Sequence, residues 1–529
     1  MAEELMQQLR SKATELLLRE EWKESVQTYS QFISLCQVQL QKARDLQPNP
    51  DNLSKLDKSL CLALSNRAEA RFRLREFAEA LRDCDEALRI ESAHFKTLLC
   101  KGKILMNLNR YAMALGCFKT ALVDSQSCGS ESLNGYVEKC KKLEFLWRTG
   151  AFDISEWVMN RFQGKFPELS EYIGPVDLRK SEISGRGLFA TKNIDAGTLL
   201  FSTKAVAIER SILGGKVPDE NAQLVMWKNF IDQVNNSTCK CPKTLNMIGK
   251  LSSGEEECSL EVPDIGLFSP EAEDNSTSLC FEKLDTNRVI SILDVNSLVE
   301  NGVSGKVLGK NGDYYGIGLW VLACFINHSC VPNARRVHVG DYVLVHASRD
   351  VKAGEEITFA YFDVLSPLGK RKEMCKSWGF DCACKRCKFE EEISSRQEMR
   401  EVEIGVERGM EAGGVVFRLE EGMKRMMVRG KAKGYLRSSF WAAFFDAYSS
   451  EKSVKRWGRR IPPVDSVVDS VVEVVGSDER VLKILLGRLN KSGGVVETEK
   501  AFKVGRGLYG KVVKKQAMKT LLDGLSSYS

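Results

Sequence analysis

The stretch Cys324-Phe325-Ile326-Asn327-His328-Ser329-Cys330-Val331-Pro332-Asn333 decides how this chain is read, together with two short neighbours downstream. These are Gly354-Glu355-Glu356-Ile357-Thr358-Phe359-Ala360-Tyr361 and Phe380-Asp381-Cys382-Ala383-Cys384-Lys385-Arg386-Cys387. Cys382, Cys384 and Cys387 stand at a C-x-C-x-x-C spacing, which brings three thiols within reach of one metal ion. Zinc takes four sulfur or nitrogen ligands in a tetrahedron, so a local trio needs a fourth from elsewhere. Cys330, at the end of an Asn-His-Ser-Cys turn, is the candidate. Unrelated buried thiols are the competing account, because free cysteine often serves as a small core residue. A bound metal could also be purely structural, tying the end of one segment to a distant turn. Ile357, Phe359 and Tyr361 alternate, which predicts a strand with one buried face.

With one further motif upstream, these residues resemble the SET-domain protein lysine methyltransferases. The matching pieces are Gly185-Arg186-Gly187-Leu188-Phe189-Ala190, Asn327-His328-Ser329-Cys330-x-Pro332-Asn333, Gly354-Glu355-Glu356-Ile357-Thr358 with Tyr361, and the trio Cys382, Cys384 and Cys387. The Phe-x-Cys-x-Cys-x-x-Cys form is most similar to the SMYD-type branch, and the resemblance covers roughly residues 175–390. It implies a role for each position. Tyr361 is the catalytic tyrosine and part of the cofactor pocket. The loop of Gly185, Arg186, Gly187 and Leu188 offers main-chain groups to S-adenosylmethionine, and glycine permits that close approach. Asn327 and His328 contact the same cofactor, and Phe380 stacks on its adenine. Cys330, Cys382, Cys384 and Cys387 hold Zn2+, fastening the post-SET segment over the cofactor. Phe359 stands where many members have a second tyrosine, a position that bears on how many methyl groups are added. Taken singly, each piece also has a plain structural account: a β-turn at 185–187, a buried histidine at 328, a packed strand tyrosine at 361.

The chain has 529 residues, too many for one core, and 43% of them are apolar; about three domains are expected. The net charge of +6, from 77 basic and 71 acidic residues, does not by itself argue for nucleic acid. Met1-Ala2-Glu3-Glu4 opens an acidic, helical start rather than a signal peptide. No run approaches the ~18–20 apolar residues that span a bilayer. The 17 cysteines are expected to be reduced, and the chain intracellular, in nucleus, cytoplasm or both.

Residues 1–145 repeat a pattern of small and aromatic residues. It runs Ala13, Leu16, Trp22, Ser25, Tyr29, Phe32; then Ala68, Arg71, Phe77, Ala80, Cys84, Ala87; then Gly102, Leu105, Tyr111, Ala114, Phe118, Ala121. The step from Ala68 to Gly102 is 34 residues, the tetratricopeptide (TPR) period. The step from Ala13 to Ala68 is 55, so 21 residues are inserted, in a loop marked by Gln47-Pro48-Asn49-Pro50-Asp51. A short solenoid with a concave face for a partner protein is expected, with an ordinary helical bundle as the alternative. Leu133–Trp147 caps its last apolar face.

Residues 146–174 read as a linker and capping segment, 175–370 as the SET fold with an insert at about 209–315, 371–390 as the post-SET zinc segment and 391–529 as a helical C-terminal domain. The fold class is thus multidomain α+β. SMYD-type proteins carry a zinc-binding MYND module near the insert. This chain offers only Cys239, Cys241, Cys258 and Cys280 there and no histidine, too few ligands for a double zinc module, with a single four-thiolate site from these cysteines as the open alternative. Ser252–Glu257 and Glu271–Ser278 read as loops, Asn221–Val234 and Arg288–Val299 as helices. Valines between Val464 and Val475 fall at helical spacing between Pro463 and Gly476. Basic clusters at Met423–Arg437 and Lys452–Arg460 read as solvated helix faces.

The function expected is S-adenosylmethionine-dependent methylation of a protein lysine, histone or not, with the TPR module recruiting a partner. A SET/TPR scaffold without turnover is the alternative. Direct nucleic-acid binding and membrane association are not expected.

Overall fold

The structure, a computed structural model, describes residues 2–45, 50–124, 130–160, 166–212, 220–254, 260–271, 285–300, 314–492 and 495–526. The chain forms two compact units. One comprises Met1–Thr149, Asp232–Gly249 and Phe268–Asp285; the other comprises Gly150–Ile231, Lys250–Leu267 and Thr286–Ser529.

In the first unit the helices α1 (Ala2–Leu18), α2 (Trp22–Asp45), α3 (Pro50–Arg73), α4 (Phe77–Ile90), α5 (Phe95–Asn107), α6 (Tyr111–Asp124) and α7 (Ser130–Thr149) each pack on the next. The small repeat residues sit where helices cross: Ala13, Ala68, Ala80, Ala87, Ala114 and Ala121 are fully buried. At Gly102 a Cβ would run into the ring of Phe118 on the neighbouring helix. The repeat also shows in the turns. Glu20, Arg75 and Asn109 all take the left-handed conformation, at φ 62°, 60° and 60°. The next residue in each case bonds back to the helix: Glu21 N to Leu16 O, Glu76 N to Arg71 O, Arg110 N to Leu105 O, at 3.0, 2.9 and 2.8 Å. One C-terminal cap is therefore used three times. Arg67 and Arg71 both pair with the buried Asp83, at 2.7 Å each, clamping α3 to α4. Of the expected loop at Gln47–Asp51, the described residues Pro50 and Asp51 are helical. Helices α2 and α3 are 24 residues each, with Pro50 as the first residue of α3, where a missing N–H costs nothing. Residues 46–49 lie outside the described set. Helix α7 continues past the expected boundary at 145 to Thr149.

The second unit holds the strands. They are β1 (Tyr172–Ile173), β2 (Val176–Lys180), β3 (Arg186–Ala190), β4 (Leu199–Lys204), β5 (Ala207–Ile212), β6 (Leu298–Val299), β7 (Tyr314–Leu319), β8 (Asn327–His328), β9 (Ala334–Val339), β10 (Tyr342–Ala347) and β11 (Glu356–Phe359). They make three small sheets, ordered β1-β4-β10-β9, β2-β3-β11-β8 and β5-β7-β6. The expected insert helices are present as α9 (Glu220–Lys240) and α11 (Thr286–Asn296), after the short α8 (Ser155–Met159); α9 from Asp232 onward and the following α10 (Pro242–Gly249) belong to the first unit. Ser252 and its neighbours are irregular, as read. Cys258, Cys280 and most of the two polar loops lie outside the described residues; Cys239 is exposed near the end of α9.

From Leu368 to Ser526 the described chain is helical. The helix Val464–Val475 buries Val467, Val468, Val471, Val474 and Val475 and ends at Gly476, at φ 71°. The sheets and these helices join through polar contacts: Arg335 meets Asp478 at 3.1 Å, and a ring nitrogen of His346 donates to Leu508 O at 3.1 Å. Among the described residues no helix is long and apolar enough to cross a membrane.

Candidate active site and metal centre

The sheet order explains why three distant motifs meet. Strand β11 lies between β3 and β8. On one side it pairs antiparallel, Glu356 with Phe189 and Ile357 with Leu188. On the other it pairs parallel, Thr358 with Asn327 and Phe359 with His328. The Gly-Arg-Gly turn, the Asn-His pair and the approach to Tyr361 are thus neighbouring backbone. Asn333, 1% exposed, holds the edge of this arrangement. Its amide donates to Glu356 O at 2.8 Å, and its Oδ1 accepts from Thr358 N at 2.8 Å.

Asn327 ties the motifs together. Its Nδ2 lies 3.0 Å from Arg186 O, 3.1 Å from Ser184 O and 2.8 Å from Glu356 Oε1. Glu356 in turn accepts from Ser181 Oγ at 2.8 Å, and burial raises its pKa. Gly185 is at φ 45°, and a Cβ at Gly187 would strike the Glu356 carboxylate. Both glycines are required by geometry, one by conformation and one by space. The side chains of Arg186 and Leu188 turn inward. Arg186 donates to Lys250 O at 2.6 Å and stacks over Phe325, so it anchors the insert; Leu188 is fully buried. Only their main chain faces the motif.

Tyr361 donates its hydroxyl to Ile326 O at 2.9 Å. Its ring is surrounded by aromatic groups: Trp378 at 5.2 Å, His328 at 5.3 Å, Phe359 at 5.6 Å and Phe380, edge-on, at 6.1 Å. His328 stacks on Phe362 at 4.5 Å. Burial pushes the imidazole pKa down to about 4, so the ring is neutral at ordinary pH. Its Nδ1 lies 3.1 Å from the Tyr361 N–H and must accept. The proton therefore sits on Nε2, which points at Cys330 Sγ, 3.4 Å away. The imidazole thus links the tyrosine backbone to the thiol cluster, and its ring is 4% exposed.

The four thiols of Cys330, Cys382, Cys384 and Cys387 come together, every Sγ within 4.8 Å of the others. Cys330 and Cys387 are 3.6 Å apart. Tetrahedral zinc, with bonds of about 2.3 Å to sulfur, sets neighbouring sulfurs about 3.8 Å apart, so the donor set fits. Hydrogen bonding within the cluster lowers the pKa of the Cys382 and Cys384 thiols and raises that of Cys330 and Cys387. The surroundings suit the charge. Four thiolates leave a zinc centre with a net negative charge, and two fully buried guanidinium groups stand beside it. Arg371 lies 3.9 Å from Cys387 Sγ and 2.8 Å from Glu390; Arg386 donates to Cys330 O at 3.1 Å and to Glu390 at 2.8 Å. Two cations around one carboxylate leave positive charge facing the thiols.

Sequence reasoning missed Arg371, Arg386, Glu390, Ser181, Glu356, Phe362 and Trp378. Arg386 and Glu390 are four apart on one helix, a legible pairing signal; the remainder depend on tertiary contacts.

Comparison with known proteins agrees with this geometry. Residues 185–362 match the family described as SET domain. A protein of Gibberella zeae called "Methyltransferase" is 27% identical over 351 residues, 62% of this chain and 46% of the relative. "Histone-lysine N-methyltransferase SMYD3" of Homo sapiens is 38% identical over 77 residues, 14% of this chain and 18% of that protein. The chain spans less than half the length of these curated relatives. A solved "TPR2B-domain:pHsp70-complex of yeast Sti1" aligns with 26% of this chain and 97% of its own at 18% identity, with a TM-score of 0.21. Residues 185–362 form a SET domain, and the helices before it repeat small residues at the 34-residue TPR period.

Proposed function

We propose that this chain is a protein-lysine N-methyltransferase that uses S-adenosylmethionine and a structural Zn2+. The observation carrying the proposal is the placement of Tyr361: its hydroxyl is fixed on Ile326 O, inside an aromatic enclosure, next to the β3–β11–β8 junction. S-adenosylmethionine, when bound, supplies a methyl group on a positively charged sulfur. Phe380, partly exposed, is suited to stack on its adenine, and main-chain groups at Gly185–Gly187 and Asn327 to hold the remainder. Zn2+ is assigned to Cys330, Cys382, Cys384 and Cys387.

The protein's own task is to make an amine attack. A free lysine, pKa about 10.4, is neutral only about once in a few thousand at pH 7. The rings of Tyr361, Phe359, Phe380 and Trp378 replace water around the amine and disfavour its charged form. The Tyr361 oxygen, its own proton committed to Ile326 O, accepts an N–H from the amine and aims the nitrogen lone pair. Orientation of that kind can contribute several kcal/mol. No side-chain general base is required if the proton leaves to water. Phe359 offers no second hydroxyl, so product degree is left to packing around Tyr361.

The helical repeats are proposed to recruit a protein partner, within nucleus or cytoplasm. Transfer of labelled methyl from S-adenosylmethionine to an array of cellular proteins tests the reading. Label on lysine in wild type but not in Tyr361→Phe supports it; no label despite bound cofactor supports the scaffold.

A further inference from the structure

Strand β9 carries two adjacent arginines with different fates. Arg335 pairs with Asp478 at 3.1 Å. Arg336 has its guanidinium over the ring of Phe359, 5.1 Å from the centroid, and donates once, to Val299 O at 3.4 Å. Among the described residues no carboxylate pairs with it. Three buried arginines of this unit, Arg371, Arg386 and Arg437, each hold a carboxylate at 2.8 Å, whereas Arg186 meets backbone carbonyl oxygen and a ring, as the half-buried Arg336 does. Burial lowers the Arg336 pKa only to about 10, so it stays charged at neutral pH. An uncompensated charge in such a place is costly, and a partner arriving with a ligand relieves the cost.

Position says which ligand. Phe359 separates Arg336 from Tyr361, its ring 5.6 Å from the tyrosine ring. Successive residues of an extended peptide are about 3.3 Å apart. A lysine amine held at Tyr361 therefore leaves side chains one or two residues away within reach of the guanidinium. Val299, its backbone acceptor among the described residues, belongs to β6 within the insert.

We infer that Arg336 forms a carboxylate-binding subsite beside the amine pocket, selecting lysines with an aspartate or glutamate one or two residues away. The inference rests on the methyltransferase reading for its meaning but not for its test. The guanidinium presents several N–H donors in a planar fork that matches a carboxylate. The methyl donor also carries a carboxylate, and the test separates the two sources.

The full chain is assayed on a peptide set with one central lysine flanked by Glu, Gln or Lys, with the donor's KM measured alongside. Wild type is expected to favour the Glu peptide over the Gln peptide by about tenfold or more in kcat/KM. Arg336→Gln is expected to bring that ratio to about one, and Arg336→Lys to restore part of it. No preference in wild type overturns the subsite. So does a variant that keeps the preference while the donor's KM rises, since the guanidinium would then serve the donor. Peptide binding to the Tyr361→Phe chain, read by fluorescence anisotropy, supplies the readout if no methyl is transferred. A Glu preference there upholds the subsite, while absence of transfer by wild type with the donor bound sinks the methyltransferase reading alone.

Discussion

Tyr361 has one hydroxyl proton, and Ile326 O takes it. Tyr361→Phe removes the atom proposed to aim the amine while keeping the ring among Trp378, His328 and Phe359. A loss of about a hundredfold or more in kcat is expected, with little change in donor affinity, as single-turnover assays would show. His346 makes a second prediction at this scale. It is 1% exposed, and burial sets its pKa at about 4 against an ordinary 6.5. Between those values the unfolded chain binds a proton that the folded chain refuses. Stability therefore falls as pH drops from about 6.5 toward 4, by up to about 3 kcal/mol from this residue. Denaturant titrations across that range should show it, and His346→Gln should flatten part of the slope. That four thiols converge was legible in the sequence, because three of them stand at C-x-C-x-x-C spacing; Tyr361 and Asn327 were singled out by resemblance, not by spacing. The inward turn of the Arg186 and His328 side chains was not legible, because Lys250 O and Cys330 Sγ are their partners only after folding.

The repeated cap at Glu20, Arg75 and Asn109 belongs to the scale of elements. The 34-residue step was legible because small residues recur at the helix crossings. The extra residues near Pro50 were not, because proline signals a turn and a helix start alike. At Gly102 the crossing leaves no room for a Cβ. Gly102→Val forces Phe118 aside and should cost about 2 kcal/mol or more, seen as faster hydrogen exchange confined to α5 and α6 in the full chain. The thiol cluster gives the other prediction. Chelation, or Cys384→Ala, should remove one metal per chain and weaken S-adenosylmethionine binding strongly. The far-UV signal of the helical repeats should largely persist, because none of their helices contributes a ligand. Calorimetric binding before and after chelation checks this, and unchanged affinity would contradict it.

On the scale of the whole molecule, the chain is two compact units whose sequences speak with different clarity. Periodicity defines the first, and spaced motifs define the strand-bearing half of the second. The helices after Leu368 were the least legible. Their valine and aromatic faces announce a core without saying what it packs against, and Glu390, which ties Arg371 and Arg386 together, carries no motif of its own. The account predicts that the parts around β11 act as one pocket on a lysine amine. The most direct measurement is mass spectrometry of lysine methylation on protein arrays incubated with S-adenosylmethionine and the full chain. The account predicts methyl-lysine with wild type and its loss with Tyr361→Phe. Equal methylation by both, or none by wild type with the cofactor bound, would contradict it.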